Sequence, residues 1–254
     1  MKQIPNIFTL LNLFFGCCAL VFILQNGLTA AYTADGVQYI DLPERIWMAP
    51  LFIGLAGIVD FLDGFVARLF KASSALGKEL DSLADIVSFG VAPGMILYQF
   101  LRMSFSKEPN GLEISMLWLL PAFIFSCAAA YRLAKFNTDD SQQYGFKGVT
   151  TPAVGLLVAS FPLIYWYSQN ETIVNLLLNK WVLYGIIIVL SYLMVSNLPI
   201  MALKFKDYTL KNNLPKIVLI GIAVVAALLL KWIAVPVVFI AYIIVSLTLK
   251  NKTT

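Results

Sequence analysis

The sequence predicts an all-α, polytopic membrane bundle of about eight spanning helices. Three observations lead there. Of 254 residues, 60% are hydrophobic and only 13% are charged, about half the charged share of a soluble domain. The mean hydropathy is +0.82. Apolar runs long enough to cross a hydrocarbon core of about 30 Å recur along the whole chain, at about 5–26, 46–69, 78–103, 115–136, 149–168, 181–203, 214–231 and 233–249.

The first run follows a short basic start in "MKQIPNIFTLLNLFFGCCALVFILQ". No small-residue cleavage site comes after it, so it reads as a retained helix and not as a signal peptide. The longest connection, 27–45, carries Asp35, Gly36, Asp41 and Glu44 and reads as ordinary exposed loop. Runs two and three flank the acidic stretch "DFLDGFVARLFKASSALGKELDSLAD", residues 60–85. Short turns join most of the remaining runs. The last two connect tightly around Lys231 and are only just long enough, so six spans would remain if that final hairpin were partial.

Lysine and arginine set the orientation. With eight spans, thirteen of the eighteen basic residues fall on the side of the N-terminus, and only Arg45, Arg102, Lys107, Lys180 and Lys231 fall on the other. Both termini and the turn of the acidic hairpin are therefore expected to be cytoplasmic. The net charge of +4 is modest, and no nucleic-acid partner is expected. The chain has no histidine, which excludes histidine bases, histidine metal ligands and phosphohistidine chemistry. Cys17, Cys18 and Cys127 lie in apolar runs without metal-ligand spacing.

The four aspartates of the hairpin need an explanation, because a carboxylate at bilayer depth costs several kcal/mol, about 2.5–3.5 on insertion scales. Asp60 and Asp63 are spaced i, i+3, with Ala67 on the same face, while Gly77, Asp81 and Asp85 form an i, i+4, i+8 stripe on the next helix. Across a tight antiparallel hairpin, Asp60 matches Asp85 in depth and Asp63 matches Asp81. At 1.5 Å per residue the deepest aspartates lie about 12 Å inside Arg68 and Gly77, within reach of the cytosol. Four facing carboxylates repel one another, and a divalent cation offsets them economically. An all-oxygen donor set favours Mg²⁺, Mn²⁺ or Ca²⁺ over zinc or copper. Gly64 and Gly77 beside the carboxylates read either as helix–helix contacts or as room for another group. Arg68 reads either as a phosphate partner or as a snorkelling interfacial cation.

Taken together, Asp60-x2-Asp63-Gly64-x2-Ala67-Arg68-x8-Gly77-x3-Asp81-x3-Asp85 resembles, at every position, the signature of the CDP-alcohol phosphatidyltransferase family. The resemblance implies an integral membrane enzyme that moves a phosphatidyl group from CDP-diacylglycerol to an alcohol and releases CMP. It also implies two divalent ions, Mg²⁺ or Mn²⁺ with Ca²⁺ as an alternative occupant, held by Asp60, Asp63, Asp81 and Asp85. Asp85 would serve in addition as general base. Asp60, Gly64, Ala67, Arg68, Gly77 and Asp81 would bind CDP-diacylglycerol. The family further implies a homodimer.

The segments "LDSLADIVSFGVAP" (80–93), "YRLAKFN" (131–137), "FKGVTTPA" (146–153) and "LMVSNLP" (193–199), with the opening "IPNIFTLLNLFFG", resemble the serine-using bacterial and archaeal branch of that family. L-serine is then the expected acceptor, and the cytoplasmic membrane the expected location. Arg132 and Lys135 lie on one helix face and suit the serine carboxylate, or else mark the cytoplasmic end of a span. Asn137, Asn197 and Ser88 are further polar candidates. Asn6 and Asn12 could meet nucleotide or cap the first helix. Glycerol 3-phosphate, an inositol phosphate or choline would be alternative acceptors, and a cation transporter is the rival from another class. The resemblance covers about residues 4–205. It implies a catalytic membrane domain over 1–205, with a six-helix core, and a C-terminal transmembrane hairpin over 206–254.

Overall fold

The computed structural model of the chain describes residues 4–25, 29–32, 38–41, 45–70, 74–108, 113–138, 146–201 and 210–250. Its first helix, α1 (Ile4–Leu24), turns a single stripe inward. Pro5, Thr9, Asn12, Gly16, Ala19 and Ile23 are buried, whereas Ile7, Leu10, Phe14, Val21 and Leu24 are exposed. Steps alternating between four and three residues follow the 3.5 period of a helix–helix seam. On α2 (Met48–Leu69) the matching seam begins with Ala49, Ile53 and Ala56 and passes into Asp60, Asp63 and Ala67. Aromatic rings seal the apolar part of this contact, with Phe22 stacked on Phe52 at 5.2 Å. Each seam is therefore apolar at one end and polar at the other, and the polar ends meet.

A continuous 32-residue rod, Ala75–Ser106, follows. It comprises α3 (Ala75–Asp85), a π-helical turn (Ile86–Val91) and α4 (Ala92–Ser106). Ser74 caps it by accepting from the Gly77 amide at 3.0 Å. Pro93 has no N–H for the Phe89 carbonyl, and its ring would clash with that carbonyl in a regular α-turn. The helix widens there, and the Ala92 amide reaches back to Val87. Gly155 of α6 (Thr151–Tyr167) sits against the freed segment. A Cβ on Gly155 would stand 2.8 Å from the Phe89 oxygen, so only glycine permits this approach.

Pro121 precedes α5 (Ala122–Thr138), with a 3₁₀ turn at Met116–Trp118 before it. After α6 come the short α7 (Glu171–Leu177) and α8 (Lys180–Val195), bent 63° apart. Two short strands, β3 (Phe146–Lys147) and β4 (Pro199–Ile200), pair antiparallel beside the end of α8. Gly148 makes that crossing at φ 76°, where a Cβ would lie 2.5 Å from the Met194 carbonyl. At the C-terminal end α9 (Leu210–Leu230) turns through Lys231, at φ 51°, into α10 (Ala234–Lys250). The Trp232 ring lies 6.4 Å from Tyr167. Tyr242 donates to the Met201 carbonyl at 2.8 Å, so α10 returns along the bundle. Phe89, Phe100, Phe125, Leu183 and Ile187 form the centre of the core.

The all-α membrane architecture is as expected from the sequence, with three local differences. Within 27–45, β1 (Thr29–Tyr32) and β2 (Gln38–Asp41) pair as an antiparallel ribbon and not as plain loop. Thr29, Tyr32, Tyr39 and Ile40 have the β-branched and aromatic character that suits it. Asp35, Gly36 and Glu44 of that loop lie outside the described residues. The run expected over 181–203 stops at Val195, because Pro199 enters the β4 pairing. Finally, among the described residues four helical stretches are long and apolar enough to cross a membrane, or five if the bent α7–α8 pair counts as one. Helices α5 and α6 have 17 residues each, about 25 Å at 1.5 Å per residue, which is short of a full hydrocarbon core. The separate runs 214–231 and 233–249 fall within one stretch, Asn213–Thr248, with the turn at Lys231 inside it.

Candidate active site

The polar ends of the α1 and α2 seams and the start of the α3 rod enclose one site. One carboxylate oxygen from each of Asp60, Asp63 and Asp81 lies within 4.8 Å of the others. Asp85, one turn further along α3, is 7% exposed, with Asp60 and Asp81 among its charged neighbours. The side chain of Asn12 donates to its Oδ1 at 3.0 Å. Thr9, one turn earlier on α1, donates to Asp63 Oδ2 at 2.8 Å. Helix α1 thus supplies a third wall, with one donor for each helix of the acidic hairpin. Three of the four carboxylates thus converge on one point, and the fourth, Asp85, is held by Asn12 of α1.

Among the described residues no lysine or arginine lies within ion-pairing distance of the four carboxylates. Asp81 Oδ1 is buried without a hydrogen-bond partner. A buried, unpartnered carboxylate oxygen facing two further carboxylates is the environment a hard divalent cation would complete, so the donor set fits the cation expected from the sequence. Asp60, Asp63 and Asp81 could hold it directly, and Asp85 could join from the adjacent turn.

A cavity of about 530 Å³ opens beside the trio, lined by Asp63, Gly64, Ala67, Gly77, Asp81 and Asn6 among others. At Gly64 a Cβ would meet only Arg68 Nη1, at 3.8 Å, so protein packing does not require the glycine there. Gly77 differs: a Cβ would press on Ser74 Oγ at 3.1 Å and Asn6 Oδ1 at 3.2 Å. Arg68 is exposed at the end of α2, with its guanidinium beside Gly64. Asn6 therefore lies at the cavity. Asn12 sits too deep in α1 to cap it and braces Asp85 instead.

The remaining polar candidates separate into four places. Arg132 is 6% exposed on α5, with Asp85 among its charged neighbours. Its Nη1 reaches Thr151 Oγ1 at 3.5 Å, and its Nε is buried without a partner. Lys135 and Asn197 come together, Nζ to Oδ1 at 2.8 Å. Asn137 turns the other way and donates to Ser82 Oγ at 2.8 Å, while its carbonyl accepts from Lys78 at 2.8 Å. Ser88 is fully buried, with its hydroxyl directed at the Asn12 carbonyl 3.1 Å away. Thr9 was not singled out from the sequence. Its signal was its place on the α1 stripe, three residues before Asn12 and four after Pro5.

The chain is also similar in sequence to known proteins. A sequence model of the family described as CDP-alcohol phosphatidyltransferase matches residues 2–196. A CDP-diacylglycerol–serine O-phosphatidyltransferase of Helicobacter pylori strain J99 is 33% identical over 199 residues, covering 76% of this chain and 70% of the relative. The protein of that name from Mycobacterium tuberculosis H37Rv is 28% identical over 250 residues, covering 95% of this chain and 76% of its own length. One from Methanocaldococcus jannaschii is 41% identical over 126 residues, covering 49% of this chain and 56% of the relative. The family match spans α1 through α8 and includes the acidic hairpin and both of its bracing residues. On these grounds the chain belongs to the CDP-alcohol phosphatidyltransferase family.

Proposed function

We propose that the chain transfers the phosphatidyl group of CDP-diacylglycerol to the hydroxyl of L-serine, giving phosphatidylserine and CMP. The convergence of Asp60, Asp63 and Asp81 on one point beside the cavity carries this reading, and the shared name of the relatives supports serine as acceptor.

Asp60, Asp63, Asp81 and Asp85 are assigned as ligands of two divalent ions, Mg²⁺ or Mn²⁺. When bound, these ions neutralise pyrophosphate charge and stabilise the departing CMP, the electrostatic economy usual in phosphoryl transfer. Thr9 orients Asp63 through their 2.8 Å hydrogen bond. Gly64 leaves space for the nucleotide, with Ala67 and Gly77 beside it, and Arg68 approaches a phosphate from the cavity rim. Asp85 accepts the proton of the serine hydroxyl as that oxygen bonds to the lipid-proximal phosphorus. The bond from this phosphorus to the CMP oxygen breaks, and the acyl chains remain in the bilayer.

Arg132 is the best-placed partner for the serine carboxylate, because its buried Nε lacks an acceptor and Asp85 is close by. The linked Lys135 and Asn197 form the rim of the same region. Ser88 and Asn137 are engaged in helix contacts and take supporting places in this scheme. The basic-residue asymmetry supports cytoplasmic termini and a cytoplasmic site. In the same scheme, residues 1–205 are the catalytic domain of a homodimer and 206–254 an appended hairpin.

Supplying the purified enzyme with CDP-diacylglycerol and labelled L-serine tests the reading. Label should enter phosphatidylserine with stoichiometric CMP. Transfer to glycerol 3-phosphate, an inositol phosphate or choline in place of serine would reassign the acceptor, and no CMP release with any of them would refute the reaction.

A further inference from the structure

We infer that Asn12 is the positioning residue of Asp85: its amide fixes the carboxylate that accepts the acceptor's proton. The inference rests on the assignment of Asp85 as base given above. Asn12 is fully buried in the third turn of α1, where the neighbouring seam positions Gly16, Ala19 and Ile23 carry no polar side chain. A buried amide without partners is costly; the nitrogen of this one is directed at Asp85 Oδ1 at 3.0 Å, while its Oδ1 is buried with no hydrogen-bond partner. A carboxylate offers only acceptors, so the amide nitrogen must be the end that faces it.

A second bond ties the same two helices. Ser88, three residues beyond Asp85, donates its hydroxyl to the Asn12 backbone carbonyl at 3.1 Å. Residue 12 therefore grips the chain on both sides of the junction where α3 ends at Asp85 and the π-helical turn begins at Ile86. That junction needs an outside anchor, because its backbone is leaving the regular α-helical pattern. Gly16 permits the grip: a Cβ there would lie 2.4 Å from Ser88 Oγ and 3.0 Å from Ser88 Cα. Asn12, Gly16, Asp85 and Ser88 thus form one close contact. It anchors one oxygen of the Asp85 carboxylate and leaves the other as the oxygen that serves. Thr9 has a different task, since its partner Asp63 belongs to the carboxylate trio.

The test is a double-mutant cycle in the full-length enzyme at saturating Mg²⁺. Asn12→Leu keeps the branching at Cγ and removes the donor, with some added bulk. It should lower kcat at least about tenfold per folded molecule, while KM for CDP-diacylglycerol and for serine stays within about threefold. Combined with Asp85→Asn it should cost nothing beyond Asp85→Asn alone, because a residue acting through Asp85 has no further effect once that carboxylate is gone. Should Asn12→Leu fail to insert, Asn12→Ala, which leaves a gap and no overpacking, carries the same comparison. Unchanged kcat in the single variant, or losses that multiply in the double variant, would overturn the positioning role while leaving Asp85 as base. Failure of the base assignment looks different: Asp85→Asn alone would then turn over at nearly the wild-type rate, and the role of Asn12 would fall with it.

Discussion

Replacing Gly64 with alanine separates a glycine kept for the protein from one kept for the substrate. Gly64 lies inside α2, and the nearest heavy atom to an added Cβ is Arg68 Nη1 at 3.8 Å, an ordinary contact at the end of a flexible side chain. The protein alone therefore accepts the methyl group. Alanine in a helix interior is favoured over glycine by about 0.8–1 kcal/mol, which corresponds to a rise of roughly 2–4 °C in the unfolding midpoint for a chain of this size. The same methyl group would point into space assigned to the nucleotide. A displacement that costs about 1.4 kcal/mol of transition-state binding lowers kcat/KM tenfold, and this is the least loss expected. The assay pairs thermal unfolding in detergent with CMP release at varied CDP-diacylglycerol. A variant that is more stable and slower supports the reasoning. A more stable variant with wild-type kcat/KM would refute it, since the space beside Gly64 would then not belong to substrate. Gly77→Ala is the internal contrast: its Cβ presses on Ser74 Oγ and Asn6 Oδ1, so stability should fall by about 1 kcal/mol, the usual worth of an N-cap.

Three further outcomes are expected. Removing divalent ions with EDTA should abolish CMP release and adding Mg²⁺ or Mn²⁺ should restore it, and full turnover in metal-free buffer would contradict the assignment of the carboxylates. Asp85→Asn should lower kcat by about 10²–10⁴, the scale of a lost general base, without rescue by high Mg²⁺. Asp63→Asn should instead be partly rescued by added metal, and equal rescue of both would make Asp85 a ligand only. A reporter after Thr254 should be cytoplasmic and one inserted near Gly36 external, as judged by compartment-specific reporter activity, and an external C-terminal reporter would show the span count to be wrong by an odd number.

How much of this was legible in the chain depended on the range of the interactions. The stripes Asp60–Asp63–Ala67 and Gly77–Asp81–Asp85 follow from helical spacing, which is local, and the structure keeps each stripe on one face. The short sequence between them made their meeting legible as well. Thr9 and Asn12 are another matter: they lie 54 and 73 positions from the carboxylates they hold, and no local rule selects them from an apolar helix. The separate directions taken by Asn137 and Lys135, only two residues apart, depend in the same way on which helix packs against each side of α5.

By itself the sequence determined the helical membrane class, the positions of the apolar segments and the acidic hairpin, because hydropathy and a 3.6-residue period act within one segment. Tertiary structure alone decided the asymmetry of the four carboxylates, the seating of α6 against the π-helical turn and the ribbon within 27–45. Each of these depends on contact between distant segments, or on a backbone path that periodicity does not encode: α1 against α3 at Gly16 and Ser88, α6 against Phe89 at Gly155, and Thr29–Tyr32 against Gln38–Asp41.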